Sequence, residues 1–347
     1  MFDIIIRNGS VLDGSESPAR RLDLGIRAGK IAALGDLQAA EAKEVIDAGG
    51  RTVCPGFLDL HRHADGALFR PDYGACDLYQ GITTIGNGNC GLSLAPQAGP
   101  YEEAIAAYLR PVTGDFSGVP VDTMADYLMA LKARPLPVNA LMLAGGGTIR
   151  ASVAGFQKLR LEEADYAEIH ARLERSLTDG AGGVSLGLGY APECYYTTEE
   201  LIRALEPIRG TDTVLSVHMR EEAMRLLPSL EEMIAVAGAL RVPLEISHLK
   251  ASGRENWGKL APRALDRIAR AREAGSTSPA TCTPTPRAAP SSSTSCRRSF
   301  CRAGPPPSRR GFGTAPPAGS FWTGWKRAGI STTMCIWWAG RTSSSPP

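Results

Sequence analysis

Five residues of this chain could do chemistry together: His61, His63, Cys90, His218 and His248. His61 and His63 are separated by one residue. On an extended segment side chains repeat with period two, so both imidazoles face the same way. That geometry suits two bonds to one metal ion. Imidazole and thiolate are borderline-soft donors, which favours zinc over magnesium or calcium. Taken singly, each of these side chains reads as an ordinary core or loop residue, and an H-x-H pair also arises by chance. Their shared placement carries the argument. His61 and His63 follow the apolar run FLDL, and Cys90 follows ITTI after Gly86-Asn87-Gly88-Asn89. His218 follows TVLSV and His248 follows LEIS. The remaining histidine, His170, falls on a predicted helix among Glu and Arg residues and reads as a solvated side chain. Cys54, Cys76 and Cys194 have no comparable setting and read as structural thiols.

The elements that must position these groups alternate. Apolar runs at Phe57–Leu60, Ile82–Ile85, Asn139–Ala144, Gly183–Leu188, Thr213–Val217 and Pro243–Ser247 are separated by stretches with helical spacing. Ile169, Leu173 and Leu177 mark one such helix; Leu230, Met233, Ile234 and Ala237 mark another. Thr197-x-x-Glu200 and Ser229-x-x-Glu232 have the form of capping boxes that start helices. Strands alternating with helices in this rhythm predict an α/β fold with a parallel barrel, in which functional groups sit just past the strand ends. Six barrel strands are expected. Ahead of them, residues 1–56 read as a small β-rich portion, with strands over 2–12 and 23–34 turning at Asn8-Gly9 and Ala28-Gly29, and a continuation through Val45–Asp47 and Arg51–Val53.

Composition divides the 347 residues unevenly. Residues 276–347 contain no Asp, Glu, Leu, Val or His, yet hold 13 Ser, 11 Pro, nine basic residues and four of the five Trp. The first 275 residues carry 29 Lys and Arg against 36 Asp and Glu, so the slight positive charge of the whole comes from this tail and does not point to a nucleic-acid partner. The bias is that of a frame change in a GC-rich gene. Taking the last two bases of each codon from the first two of the next residue, Thr277–Arg287 allows D-V-T-C-D-L-Y-P-Y-T-A, in which acids, Leu and Val return. Residues 276–347 are therefore read as out-of-frame translation forming a disordered tail; a genuine low-complexity tail is the other reading. No apolar run approaches the roughly 18 residues of a membrane span. The start, Met1-Phe2-Asp3-Ile4-Ile5-Ile6, lacks a basic leader, so the expected location is the cytoplasm, with no membrane partner and no disulfides.

Longer motifs resemble a known family. Pro55-Gly56-Phe57-Leu58-Asp59-Leu60-His61-Arg62-His63 resembles the first metal motif of the amidohydrolase superfamily. Gly88-Asn89-Cys90-Gly91-Leu92-Ser93-Leu94-Ala95-Pro96 is similar to the N-acyl-D-amino-acid deacylases (D-aminoacylases) within it. So are Tyr190 with Thr197–Leu201, Val217-His218-Met219-Arg220, and Ile246-Ser247-His248-Leu249-Lys250 with Asn256-Trp257-Gly258-Lys259. The resemblance runs from about residue 1 to residue 274.

It implies a β-sandwich portion joined to a (β/α)₈ barrel, here truncated to about six strands over 57–275. It implies zinc held by Cys90, His218 and His248, with His61 and His63 serving a second, weaker metal position. The substrates would be small N-acyl-D-amino acids, hydrolysed at the amide by metal-activated water. Tyr190 and Lys250 would contact the substrate or the developing oxyanion, with Arg220 assisting. The family's general base is an Asp after the eighth strand, and this chain has no Asp or Glu after Glu273. Two further departures are Gly146, where the family often has His, and Arg62 between the two histidines. A cyclic-amide hydrolase of the dihydroorotase or hydantoinase kind remains an alternative, although Cys90 stands where those enzymes usually have a carboxylated Lys. A non-catalytic metal-binding remnant is another.

Overall fold

The computed structural model describes residues 1–15 and 17–273, and the backbone of one strand at Met334–Trp337. The rest of the tail, and with it the out-of-frame reading, lies outside the described residues. The chain divides into two compact units after Phe57.

The N-terminal unit is one mixed sheet of β1 (Phe2–Val11), β2 (Arg20–Arg27), β3 (Lys30–Gly35), β4 (Ala42–Asp47), β5 (Thr52–Pro55) and the last strand of the chain, β13 (Met334–Trp337). β1 is its axis. It pairs antiparallel with β2 along one edge, and parallel with β4 over Phe2–Arg7 and with β5 at Ser10 and Val11 along the other. The sandwich portion is thus a single sheet among the described residues, with its edge divided between two strands. β13 pairs antiparallel with β5, so part of the tail expected to be disordered is a paired strand. Ile4, Ile6, Val11, Leu24, Ile26, Ala48 and Val53 form the core. The β2–β3 hairpin turns at Ala28 and Gly29, with φ of 51° and 72°, the pair of positive values that a two-residue turn matching the strand twist requires. Asn8-Gly9 is not a turn. The register of β1 shifts there, and the Asn8 N–H leaves the ladder to donate to Asp23 at 2.9 Å, which makes it a bulge.

The second unit places β6 (Phe57–Asp59), β7 (Ile82–Asn87), β8 (Asn139–Met142), β9 (Ala144–Gly145), β10 (Gly183–Gly187), β11 (Val214–His218) and β12 (Leu244–Ile246) in two sheets, ordered β6-β7-β8 and β9-β10-β11-β12. Only Leu143 separates β8 from β9, so one strand position serves both sheets and the six expected barrel strands are all present. The registered pairs are parallel. Helices α1 (Ala75–Tyr79), α2 (Glu102–Thr113), α3 (Met124–Lys132), α4 (Gly146–Ala154), α5 (Glu163–Thr178), α6 (Thr198–Ala204), α7 (Leu226–Leu240) and α8 (Leu260–Glu273) lie between and after them. The apolar stripes of α5 (Ile169, Leu173) and α7 (Leu230, Met233, Ala237) share one core with Val184, Leu186, Leu215 and Val217.

The strand interiors differ from this greasy outer layer. Ser185 is registered with Ser216, and Ser216 with Glu245, so parallel pairing brings three polar side chains to one level of the barrel interior. Ser216 Oγ donates to Glu245 at 2.6 Å, and Ser247 Oγ donates to the same carboxylate at 2.8 Å. Two residues further along β11 comes His218.

Helix starts follow local chemistry. Thr197 Oγ1 accepts from Glu200 N at 3.2 Å while the Glu200 carboxylate accepts from Thr197 N at 2.9 Å, the reciprocal box expected for α6. Ser229-x-x-Glu232 does not cap α7, which begins three residues earlier, at Leu226. Glu232 is instead engaged by Arg220. His170 on α5 is not simply solvated: its Nε2 lies 2.8 Å from the Arg203 carbonyl oxygen. The Thr197→Ala substitution is expected to lower unfolding free energy by about 1 kcal/mol, read from urea denaturation; an unchanged midpoint would show that the cap is redundant.

Candidate metal centre

His61 and His63 leave the end of β6, Cys90 sits in the turn after β7, His218 ends β11, and His248 follows β12. The structure brings all five together. His61, His63 and Cys90 form one triad and Cys90, His218 and His248 a second, with the donor atoms in each within 4.8 Å of one another. Cys90 Sγ lies 3.5 Å from His61 Nε2 and 3.6 Å from His248 Nε2. The rings of His218 and His248 meet edge to face at 4.6 Å, and those of His61 and His248 at 4.8 Å.

Two asparagines fix the H-x-H segment. Asn89 Nδ2 donates to the carbonyls of Gly86, Leu60 and Arg62 at 2.9, 3.2 and 3.3 Å, and the Ala64 N–H donates to Asn87 Oδ1 at 3.0 Å. Both amides are buried. Arg62, whose presence between the histidines departs from the family pattern, points away from the donor cluster and pairs with Asp59 and Asp77.

The Cys90 turn is held from the other side. Ser185 Oγ donates to the Gly88 carbonyl and accepts from Gly91 N at 3.0 Å. Gly88 has φ of 72°, and a Cβ there would run into the Leu143 carbonyl oxygen. Cys90 itself has φ of 57° and His248 φ of 38°, so two donor residues occupy left-handed backbone that the surrounding bonds must enforce.

Burial sets the electrostatics. It holds the His61 imidazole down to about 3 and those of His63 and His218 down to about 4, with the nearby His248 adding to the effect. These rings are therefore neutral at ordinary pH and keep a lone pair. Nδ1 of His61 and of His63 is buried without a hydrogen-bond partner. Burial also pushes the Cys90 thiol up to about 12, so a cation binding there must displace its proton. Neutral imidazoles, unpartnered buried nitrogens and a thiol converging on one spot fit a soft-to-borderline divalent metal.

The three residues expected to meet substrate differ in their freedom. Tyr190 packs edge to face on His218 at 5.1 Å, and its hydroxyl donates to the Cys90 carbonyl at 2.5 Å. Lys250 pairs with Glu222 and lies 3.0 Å from His248 Nδ1. Arg220 makes four hydrogen bonds: it grips Glu232 at 2.9 and 3.0 Å and donates to the carbonyls of Cys194 and Tyr196, both at 3.0 Å. Its guanidinium ties the turn before α6 to α7.

Sequence reasoning missed Asn87, Asn89, Glu193 and Glu222. Glu222 had a legible signal, lying four residues beyond His218 on the same loop. Glu193 had none. It is fully buried, its Oε2 accepts from Gly187 N at 2.7 Å, and its Oε1 is unpartnered. Gly146, in place of the family's histidine, lies beside it: a Cβ at 146 would come within 2.6 Å of that Oε1.

This fold places a candidate metal site at the ends of parallel strands, and comparison with known proteins points to one family. The profile of the amidohydrolase family (Amidohydro_3) matches residues 44–206. A D-aminoacylase from Alcaligenes xylosoxydans xylosoxydans is 37% identical over 258 residues, 74% of this chain and 52% of that protein. An N-acyl-D-aspartate deacylase from the same organism is 36% identical over 274 residues, 78% of this chain and 53% of its own length. Among solved structures, the N-acyl-D-glutamate deacylase from Bordetella bronchiseptica, complexed with zinc and a phosphonate that mimics the reaction's tetrahedral intermediate, superposes with a TM-score of 0.74 at 32% identity. That match covers 82% of this chain and 59% of the other. The chain belongs to the N-acyl-D-amino-acid deacylase family of the amidohydrolase superfamily. It spans about half the length of the curated relatives it matches.

Burial raises the Glu193 carboxyl to about 8, against an ordinary value near 4.5. Between those two pH values the folded chain binds a proton here that the unfolded chain has released, so stability falls as pH rises through the window. Glu193→Gln removes that term. Urea unfolding at pH 5 and pH 8.5 should show the variant gaining on the wild type at the higher pH; a difference that does not move with pH would contradict the protonated assignment.

Proposed function

We propose that the site is that of a zinc-dependent hydrolase acting on the amide bond of small N-acyl-D-amino acids. The observation that carries this reading is the convergence of Cys90 with two sets of half-buried histidines at the ends of parallel strands. Cys90, His218 and His248 would hold the principal zinc, and His61 and His63 would form a second position around the same thiol. Zinc bound there supplies a water of lowered pKa and polarisation of the scissile carbonyl.

The chain's own residues do the rest. Cys90 gives up its proton on metal binding, and burial keeps the histidines in the state that can coordinate. Lys250 presents a cation beside His248, suited to a carboxylate or a developing oxyanion. Tyr190 shapes the wall over His218 and can lend its hydroxyl to substrate in exchange for the Cys90 carbonyl. Arg220 acts at one remove, through the turn it ties down.

The general base expected of the family has no counterpart in this sequence beyond Glu273. The carboxylate nearest the histidines, Glu222, is already paired with Lys250. Residues 276–347 are read as out of frame, which makes the chain as written a metal binder with impaired turnover. Two genes test this, one as written and one with a base restored near codon 276. Both products should take up zinc, and the restored one alone should hydrolyse N-acetyl-D-amino acids, with loss of activity on chelation. Failure of both to bind zinc would overturn the metal assignment. Full turnover by the chain as written would overturn the frame reading, and a preference for N-acyl-L-amino acids the substrate assignment. Cys90→Ala should lower zinc affinity in either protein by at least 100-fold, measured by competition with a chelating dye.

A further inference from the structure

Glu222 lies in the loop after β11, with a side chain only 10% exposed. Its position is fixed on both sides. Its own carbonyl accepts from Ser252 N at 2.8 Å, which stitches the loop after β11 to the loop after β12. Its carboxylate Oε2 pairs with Lys250, and Oε1 lies 2.9 Å from His248 Nδ1. His248 is therefore addressed at both ends of its ring: Nε2 faces the Cys90 thiol at 3.6 Å, and Nδ1 faces this carboxylate. Oε2 is also 3.8 Å from His218 Nε2.

An imidazole can coordinate through only one nitrogen at a time, and the other then carries the ring hydrogen. If Nε2 is the donor toward the Cys90 side, Nδ1 must be the N–H. Nδ1 has two neighbours, Glu222 Oε1 and the Lys250 ammonium at 3.0 Å. An N–H cannot donate to an ammonium, whereas the carboxylate can accept from both. In the structure the Lys250 ammonium donates to the Nδ1 lone pair, and Glu222 Oε1, 2.9 Å away, accepts no hydrogen bond from the described residues; coordination through Nε2 would put the hydrogen on Nδ1, where that carboxylate is the acceptor within reach.

Resting on the zinc reading above, we infer that Glu222 is a positioning residue for the metal site: it holds the hydrogen of His248 on Nδ1, leaves Nε2 free to coordinate, and anchors the Lys250 ammonium beside the same ring. A carboxylate behind a coordinating histidine fixes ring orientation and raises its basicity. Removing such a partner typically costs 10- to 100-fold in metal affinity. Lys250 bonds both that carboxylate and Nδ1, so its removal should free Nδ1 while leaving the approach of Glu222 to His248 in place.

The experiment measures zinc affinity of the chain by competition with a chelating dye, together with the thiolate-to-metal absorption band of the cobalt-loaded protein, for wild type, Glu222→Ala, Glu222→Gln and Lys250→Met. The expected result is a loss of zinc affinity of about 10- to 100-fold in Glu222→Ala, a smaller loss in Glu222→Gln, which keeps an acceptor oxygen, and a change below about threefold in Lys250→Met. The cobalt band should shift in the Glu222 variants. Thermal melts of the metal-free proteins check that each is folded; should Glu222→Ala not fold, the isosteric Glu222→Gln carries the test. Equal zinc affinity in the wild type and both Glu222 variants would overturn the inference while leaving the metal site standing. So would a loss in Lys250→Met as large as that in Glu222→Ala, since the ion pair and not the His248 contact would then govern affinity. A wild-type chain that takes up no zinc would overturn the metal reading and this inference with it.

Discussion

The site rests on two buried side-chain amides. Asn89 spends both N–H bonds of its Nδ2 on carbonyls of the H-x-H segment and of β7, and Asn87 takes up the Ala64 N–H. Without them the segment Leu60–Ala64 would be a strand end with unpaired carbonyls in a barrel interior, where each buried polar group left unmade costs about 1–3 kcal/mol. With them, His61 and His63 are delivered at a fixed height beside Cys90. The amide that anchors the first strand belongs to the residue next to the thiol, so the two halves of the first triad cannot move independently.

Behind this clamp the barrel interior is polar. Ser216, Ser247 and Glu245 form a hydrogen-bonded cluster, Ser185 at the same level holds the Cys90 turn, and Ser216 Oγ also approaches Asn89 Oδ1 at 3.4 Å. That cluster supplies fixed dipoles without solvent. Burial lowers the pKa of His61, His63 and His218, and among the described residues Nδ1 of His61 and of His63 meets no hydrogen-bond donor. The same burial keeps Cys90 a thiol and Glu193 a carboxylic acid.

Much of this was legible in the sequence. The six barrel strands and the convergence of His61, His63, Cys90, His218 and His248 could be read because apolar runs and the single groups following them obey one spatial rule, that strand C-termini share one face. The Thr197 cap could be read because it is local. What escaped was set by the partners a side chain meets across the fold. Ser229-x-x-Glu232 has the letters of a cap, yet α7 already begins at Leu226 and Glu232 pairs with Arg220 across the fold. Asn8-Gly9 has the letters of a turn, but the Asp23 carboxylate across the sheet captures its N–H and makes it a bulge. Glu193 and Glu222 are acids amid many, and only burial and the neighbours they acquire on folding distinguish them.

Cys90 is common to both triads. Two cations seated in them would draw on the charge of one thiolate, and each would feel the other across a few ångströms of dry protein, where repulsion between like charges is weakly screened. Under the zinc reading the two positions would be thermodynamically linked, since a change that one cation makes in the affinity for the other must be reciprocated by the same factor. On that reading a single shared sulfur atom would grade the response of the centre to the concentration of free ion.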